Sequence, residues 1–161
     1  IIFDREKKQI LNIITLRKDL RFRCKRCAVF CCKLGGPLVR EADLKRIARA
    51  GFDPYEFIEP IRHRHNQQRD VIAVLKQKDD GSCIFLKYNE TMDLYECRIY
   101  EDRPSLCRLY PFEFILENDE TGILRIIPCC NGLNTPNGEI VNREFIEKYL
   151  LDAIREIFWE A

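Results

Sequence analysis

A chain of 161 residues, 46% hydrophobic and 33% charged, is long enough to bury its own core and too charged to be a membrane protein. The formal net charge of +1 supplies no field that would attract nucleic acid or anionic lipid, so neither is expected as a partner. No stretch approaches the roughly 18 apolar residues of a spanning helix, and the first residues lack the ordered regions of a signal peptide. We therefore expect a cytoplasmic protein.

The first elements predicted along the chain are helices. Apolar residues recur at helical spacing over residues 5–18, which predicts an amphipathic helix. A second helix is predicted over residues 41–50 and ends at Gly51. Asp53-Pro54 then opens a short helix, because Asp favours the N-cap and Pro the first helical position.

Two pairs of strand-like runs follow, each pair separated by a turn sequence. Residues 71–77 and 83–88 flank DDGS, and residues 111–118 and 123–128 flank DETG, so each pair predicts a β-hairpin. Between the pairs, Asp102 is expected to cap a short helical turn.

The last residues, 143–161, carry a continuous apolar stripe and predict a long packed helix. The fold class predicted from these elements is α+β. We expect a small single domain over residues 1–161, with two β-hairpins, several helices including the long C-terminal helix, and cysteine-rich metal-binding loops.

Nine cysteines are the most unusual feature of the composition, and four of them lie in CKRCAVFCC, Cys24 to Cys32. A reducing cytosol disfavours structural disulfides, and an odd number would leave one thiol unpaired. Abundant Ile, Glu, Lys and Arg resemble the composition of a thermophile, whose cytosol tolerates disulfides, so that alternative stays open.

The first cluster has the spacing of a metal-binding loop. In a C-x2-C pair such as Cys24 and Cys27, a tight turn lets both thiolates reach one metal at about 2.3 Å, and Cys31 or Cys32 can follow as the third ligand. Thiolates favour zinc or an iron–sulfur cluster over magnesium or calcium. Both have the same four-thiolate ligands, so the spacing does not distinguish them.

Basic residues accompany the thiols. Residues 17–26 contain six Lys or Arg and one Asp, which would offset the charge of a thiolate site; a solvated basic face is the alternative. His63 and His65 lie far in sequence from any cysteine, and we expect them in a solvated polar loop rather than as ligands.

The sequence shows none of the common catalytic motifs. A cysteine nucleophile needs one thiol with a neighbouring base, not nine thiols. The sequence has no Gly-rich phosphate loop, metal–carboxylate motif or Ser/His/Asp arrangement. It leaves open whether the protein is an enzyme.

The order of the cysteine motifs resembles a known family. CKRCAVFCC, CIFL, CRIYEDRPSLCRLYPF and CNG follow one another over residues 22–132, as in the zinc- or iron-chelating cysteine-cluster family, the YkgJ-like or CxxCxxCC proteins. The block Cys97–Phe112 is the most specific part. The family usually has two residues before its doubled cysteine, whereas residues 28–30 separate Cys27 from Cys31 here.

Eight cysteines match the family's pattern, and the resemblance implies that they are metal ligands. They are Cys24, Cys27, Cys31, Cys32, Cys83, Cys97, Cys107 and Cys130. Cys129 is the expected spare, because Cys130 is followed directly by Asn131-Gly132. Eight thiols suffice for two four-ligand sites, or for one site with four further thiols.

The function implied by the resemblance is metal binding. The expected cofactor is an iron–sulfur cluster, a 4Fe–4S cluster being one form, with zinc as the alternative. Arg103 and Arg108, near Cys107, are candidates to donate hydrogen bonds to ligand sulfurs, and surface salt bridging is their alternative role.

The expected role is metal or electron handling, or support of a partner enzyme, with the partner and oligomeric state undetermined. A zinc-stapled interaction module is one alternative. The other is an enzyme related to the flagellin lysine N-methylases, which carry a similar cysteine cluster.

Overall fold

The computed structural model contains two compact units, and it describes residues 1–4, 6–7, 9–61 and 71–160. Unit 1 comprises residues 1–25 and 109–160, and unit 2 comprises residues 26–108. Both contain helices and strands, which confirms the predicted α+β class. His63 and His65 lie outside the described residues. The prediction of a single domain stays a prediction.

Short strands and helices alternate along the chain. The strands are β1 (Ile2–Asp4), β2 (Gln9–Asn12), β3 (Arg21–Phe22), β4 (Leu38–Arg40), β5 (Ile58–Pro60), β6 (Val71–Leu75), β7 (Leu86–Asn89), β8 (Leu94–Cys97), β9 (Phe112–Leu116), β10 (Gly122–Ile126) and β11 (Glu139–Ile140). The helices are α1 (Glu41–Arg49), α2 (Pro54–Phe57), α3 (Ser105–Leu109), α4 (Arg143–Phe145) and α5 (Leu151–Glu160), with a π-helical turn (Ile146–Leu150) joining α4 to α5. No helix within the described residues is long and apolar enough to cross a membrane.

Unit 1 contains the antiparallel pairs β1–β2, β9–β10 and β3–β11. The β9–β10 hairpin confirms the prediction made from residues 111–118 and 123–128. The helix predicted over residues 5–18 is wrong, because β2 pairs with β1 there. The isoleucines of this segment are β-branched, which favours strands. Ile13 is buried whereas Ile14 is exposed, so the predicted apolar helix face does not form.

The C-terminal helix is confirmed as a continuous helical segment from α4 through α5. The Asn142 side chain caps its start by accepting a hydrogen bond from the Phe145 N–H at 3.0 Å. The ring of Phe145 contacts Phe22 and Phe112 edge to face, with centroid distances of 6.2 and 6.1 Å. The side chain of Phe158, on the predicted stripe, lies outside the described ones.

Unit 2 is organised around the three-stranded antiparallel sheet β4–β6–β5. Alternate side chains of β6 are buried, which is the period-two pattern of a strand with one face on a core. α1 and α2 confirm the helices predicted after residue 40 and after Asp53. The core of this unit includes Val39, Ile47, Phe57, Ala73, Leu75, Phe85, Leu86 and Ile99.

The hairpin predicted from residues 71–77 and 83–88 forms differently. β6 lies between β4 and β5, and β7 pairs with β8. The two predicted strands meet at their near ends, through a bridge between Gln77 and Cys83. A strand with a neighbour on each side has no free edge for a third, so the predicted pairing cannot extend.

Gly35 brings the first cysteine cluster against the turn around Gly81. Its N–H donates to the Cys32 carbonyl oxygen at 3.1 Å, and its φ is +51°. A Cβ at this position would overlap the Gly81 carbonyl oxygen and lie 3.0 Å from the Cys83 nitrogen. The two backbone segments are therefore in direct contact, at a distance that glycine alone allows.

We expect Gly35→Ala to lower the free energy of unfolding by about 3 kcal/mol, because overlap adds to the strain of a positive φ. Gly51→Ala is the matched control. Its φ is +95°, but no described heavy atom lies within 4 Å of the added Cβ, so a loss of about 1 kcal/mol is expected. Urea unfolding followed by circular dichroism measures both, and equal losses would contradict the close contact at Gly35.

Candidate metal centre

The first cysteine cluster lies in a tightly turned loop. The N–H groups of Cys32 and Lys33 both donate to the Ala28 carbonyl oxygen, at 3.2 and 2.8 Å. Arg26 and Ala28 have φ values of 51° and 57°, so non-glycine residues in the left-handed region stand on either side of Cys27. Such conformations cost about 1–3 kcal/mol each and concentrate at functional sites.

Five thiols of unit 2 are linked electrostatically, each acting on the ionisation of at least one other. This thiol cluster consists of Cys31, Cys32, Cys83, Cys97 and Cys107. Its members come from the first loop, the turn before β7, the end of β8 and α3. Burial, followed by the charges of Cys83 and Cys97, raises the pKa of Cys107. The folded chain thus gathers thiols from four separate segments.

The adjacent thiols of Cys31 and Cys32 are coupled by a hydrogen bond. It lowers the pKa of Cys31 to about 7 and raises the pKa of Cys32. The Cys32 carbonyl oxygen also accepts a hydrogen bond from the Cys83 N–H at 2.8 Å, which ties the loop to a third member of the cluster. A thiolate is the form that binds metals, and one is accessible here near neutral pH.

Backbone amides counteract the effect of burial on the pKa of several thiols. Burial raises the pKa of Cys83 and of Cys97, and in each case the amide two residues later lowers it. In unit 1 the Gly132 N–H donates to the Cys130 Sγ at 3.4 Å, again from two residues later. Amide donors stabilise a thiolate, and loops that present them suit metal-bound sulfur.

Arg103 is a cation that acts on three thiols of this cluster. Its charge favours the thiolates of Cys31, Cys97 and Cys107, whereas burial disfavours each of them. The charge of Lys78 likewise favours the thiolate of Cys83. Its Nε donates to the Tyr100 carbonyl oxygen at 2.7 Å, and its guanidinium lies 3.8 Å from the centroid of the Tyr100 ring. These contacts hold the side chain in place. Hydrogen bonds from Arg103 and from Arg108, which is half-buried on α3, to ligand sulfurs stay a prediction.

Asp43 was not among the residues predicted from the sequence. Its side chain is fully buried, and its Oδ1 accepts hydrogen bonds from the N–H and Oγ of Ser105 at 2.8 and 2.9 Å. The first amide of α3 is therefore bonded to Asp43, where Asp102 was predicted to cap this helix. The available signal is spacing, since Asp43 and the core residue Ile47 are four apart and share one face of α1.

Cys24 and Cys130 belong to unit 1. The Arg23 N–H donates to the Gly132 carbonyl oxygen at 3.0 Å, which places the two cysteines on adjacent chain segments. Cys24 and Cys129 are exposed, whereas Cys130 is half-buried.

The structure thus gathers five of the eight predicted ligands in unit 2. Cys27 is half-buried in the same unit, and all nine cysteines carry free thiols. In the part of the chain that the structure describes, no group of three or more Cys, His, Asp or Glu has its ligand atoms placed around one metal position. The chemistry of a set of soft thiolates fits zinc or iron–sulfur. The assignment of individual cysteines as ligands stays a prediction.

Residues 23–131 match the CxxCxxCC family, described as a "Putative zinc- or iron-chelating domain". Uncharacterized protein MJ0661 of Methanocaldococcus jannaschii is 29% identical over 139 residues, which cover 81% of this chain and 71% of that protein. Uncharacterized protein MJ0939 of the same organism is 28% identical over 150 residues, 87% of this chain. The match covers 48% of MJ0939, so the chain spans about half of that relative. No solved structure matches the chain.

The family match extends over more than half of the chain and includes all nine cysteines. It covers the whole of unit 2, where the thiol cluster lies. The family description and the observed gathering of thiols point to the same general property, metal binding. The chain belongs to the CxxCxxCC family of zinc- or iron-chelating domains.

Proposed function

We propose that the protein binds an iron–sulfur cluster through cysteines of unit 2. The observation that carries this proposal is the thiol cluster, in which five free thiols from four segments lie within charge-coupling range. Four thiolates are what a cubane cluster requires. Zinc has the same requirement and is the competing metal.

The energetics of the thiol cluster favour a cationic occupant. Burial is the main cause of the raised pKa values of Cys83, Cys97 and Cys107, so these thiols resist ionisation in the metal-free protein. Mutual repulsion between thiolates adds to that resistance. Metal binding displaces the thiol protons and offsets the repulsion, which couples binding to the stability of unit 2.

The surroundings of the cluster support a redox role. Cys83 belongs to the apolar core of unit 2, and Cys31, Cys32 and Cys97 pack against it. An apolar shell and a nearby cation such as Arg103 are the features by which proteins tune reduction potentials. A bound cluster would supply one-electron transfer, and we propose metal or electron handling in support of a protein partner as the role.

A zinc-stapled structural module is the second candidate. It is favoured by the separation of the thiols along the chain, because a structural zinc site ties sequence-distant loops together in the same way. The two candidates share their ligands and differ in the metal, so the metal decides between them.

Elemental analysis and a visible absorption spectrum, on protein purified without oxygen and without a metal-affinity tag, test the proposal. We expect iron with acid-labile sulfide and a broad absorption band at about 400 nm, as thiolate-ligated clusters show. Stoichiometric zinc in colourless protein would support the structural module instead. Protein that retains neither metal after reconstitution with iron and sulfide, or with zinc, would contradict both.

The ligand assignment is tested by single substitutions. Cys107→Ser should lose most of the bound metal, because a serine hydroxyl stays protonated and is a poor ligand for soft metals. Cys129→Ser is the matched control, since Cys129 is exposed and stands outside the predicted set. Metal content per chain after gel filtration is the measurement, and equal retention by the two variants would remove Cys107 from the ligand set.

Arg103→Gln should lower the reduction potential of the bound cluster by about 50 mV. Removal of one positive charge disfavours the more negative reduced state by about 1 kcal/mol at an effective dielectric constant near 20. Arg49→Gln is the matched control, because Arg49 is exposed in the last turn of α1 and is not among the charges that shift the pKa values of the five thiols. Potentiometric titration measures both, and the same shift in both variants would contradict a specific effect of Arg103.

A further inference from the structure

Unit 2 contains a buried carboxylate that the proposed metal binding does not use. Asp43 lies in the first turn of α1 and has 0% of its surface exposed. Its bonding partner Ser105, also 0% exposed, is the first residue of α3, the helix that carries Cys107. A buried carboxylate is costly unless its oxygens are bonded and its charge is paired, so its retention needs a reason.

The hydrogen bonds of Asp43 join three segments. Oδ1 accepts from the Ser105 N–H at 2.8 Å, from the Ser105 Oγ at 2.9 Å and from the Arg46 Nη2 at 2.6 Å. Oδ2 accepts from the Arg40 N–H at 3.1 Å. The Arg46 Nη2 also donates to the Arg103 carbonyl oxygen at 3.1 Å. The ion pair therefore fixes the backbone at residues 103 and 105.

We propose that Asp43 is a positioning residue of the thiol cluster, which holds the start of α3 so that Cys107 faces the other four thiols. The consequence for metal binding rests on the proposed function. The anchoring of Cys107 does not, because it concerns the metal-free fold.

The charge of Asp43 argues for this geometric role. Burial is the main cause of the raised pKa of Cys107, and the negative charge of Asp43 adds to it. An acid is thus electrostatically unfavourable to a thiolate at this position. The Arg46 guanidinium, with 22% of its side-chain surface exposed, offsets the carboxylate charge. Asp43 therefore supports the thiol cluster by fixing the position of the start of α3, and not through its charge.

The chain offers a matched control for the same hydrogen-bond pattern. The Asp80 Oδ1 accepts from the N–H and Oγ of Ser82, at 3.0 and 2.6 Å, in the turn directly before Cys83. Asp80 is exposed and bonds within its own turn, whereas Asp43 reaches from α1 to α3. Asp43→Asn and Asp80→Asn therefore remove the same charge from two different anchors.

The test is alkylation of the reduced, metal-free protein with N-ethylmaleimide at constant pH, with each cysteine quantified by mass spectrometry. We expect Asp43→Asn to raise the labelling rate of Cys107 relative to Cys83 by about tenfold, because the loss of the charge-assisted bonds and the loss of the carboxylate charge both favour reaction. Ser105→Ala, which removes the Oγ donor and changes no charge, should raise the same ratio less, and this rise isolates the positional effect. Asp80→Asn should not raise it.

An equal increase at Cys107 and Cys83 in Asp43→Asn would mean general destabilisation and would overturn the proposal. An unchanged ratio would overturn it too, and Ser105→Ala decides if Asp43→Asn does not fold. In metal-loaded protein, Asp43→Asn should release metal to a chelator faster than Asp80→Asn. A wild-type protein that holds no metal would overturn the proposed function, while the labelling ratio still decides whether Asp43 positions Cys107.

Discussion

A fully buried carboxylate persists in a fold only where hydrogen bonds and a counter-charge replace the water it has lost, and the interior of unit 2 supplies both to Asp43. Removal of one partner from such a pair costs about 3–5 kcal/mol in general. The carboxylate links the end of β4, the first turn of α1 and the start of α3. The first two segments are neighbours in sequence, but Ser105 of α3 is 62 residues from Asp43, so the carboxylate fixes long-range geometry that no single sheet or helix determines.

The thiol cluster is built on that geometry and on a second contact, between Gly35 and the turn at Gly81. The first brings α3 to the cluster, and the second brings the loop of Cys31 and Cys32 to Cys83. The first contact is fully buried, and the second is a close approach of two backbone segments. The result is a set of thiols whose ionisation is opposed by burial. Under the proposed function, a bound metal would stabilise the thiolates, and its binding would stabilise the fold of unit 2.

Local patterns explain what could be predicted from the sequence. α1, the β9–β10 hairpin and the C-terminal helix each carry their periodicity within a short window. The segment 5–18 fits a helical spacing by the positions of its isoleucines, although their β-branching and the pairing with β1 favour a strand. The partners of β6 depend on contacts between distant residues, which periodicity does not report.

The candidate site likewise has one part that the sequence predicted and another that depends on contacts between distant residues. The cysteine spacing and the family resemblance predict eight metal ligands, an assignment that stays a prediction, and the structure adds that five of these thiols influence one another's ionisation in unit 2. The spacing of Asp43 from Ile47 indicates that it shares the buried face of α1, but it does not identify the partner of Asp43, because Ser105 lies on another helix. The order of the thiols also bears on biosynthesis. Cys31 and Cys32 leave the ribosome well before Cys107, so the nascent chain carries this adjacent cysteine pair before the helix that supplies Cys107 exists. The thiol cluster is therefore complete only after α3 has been synthesised and has docked on α1.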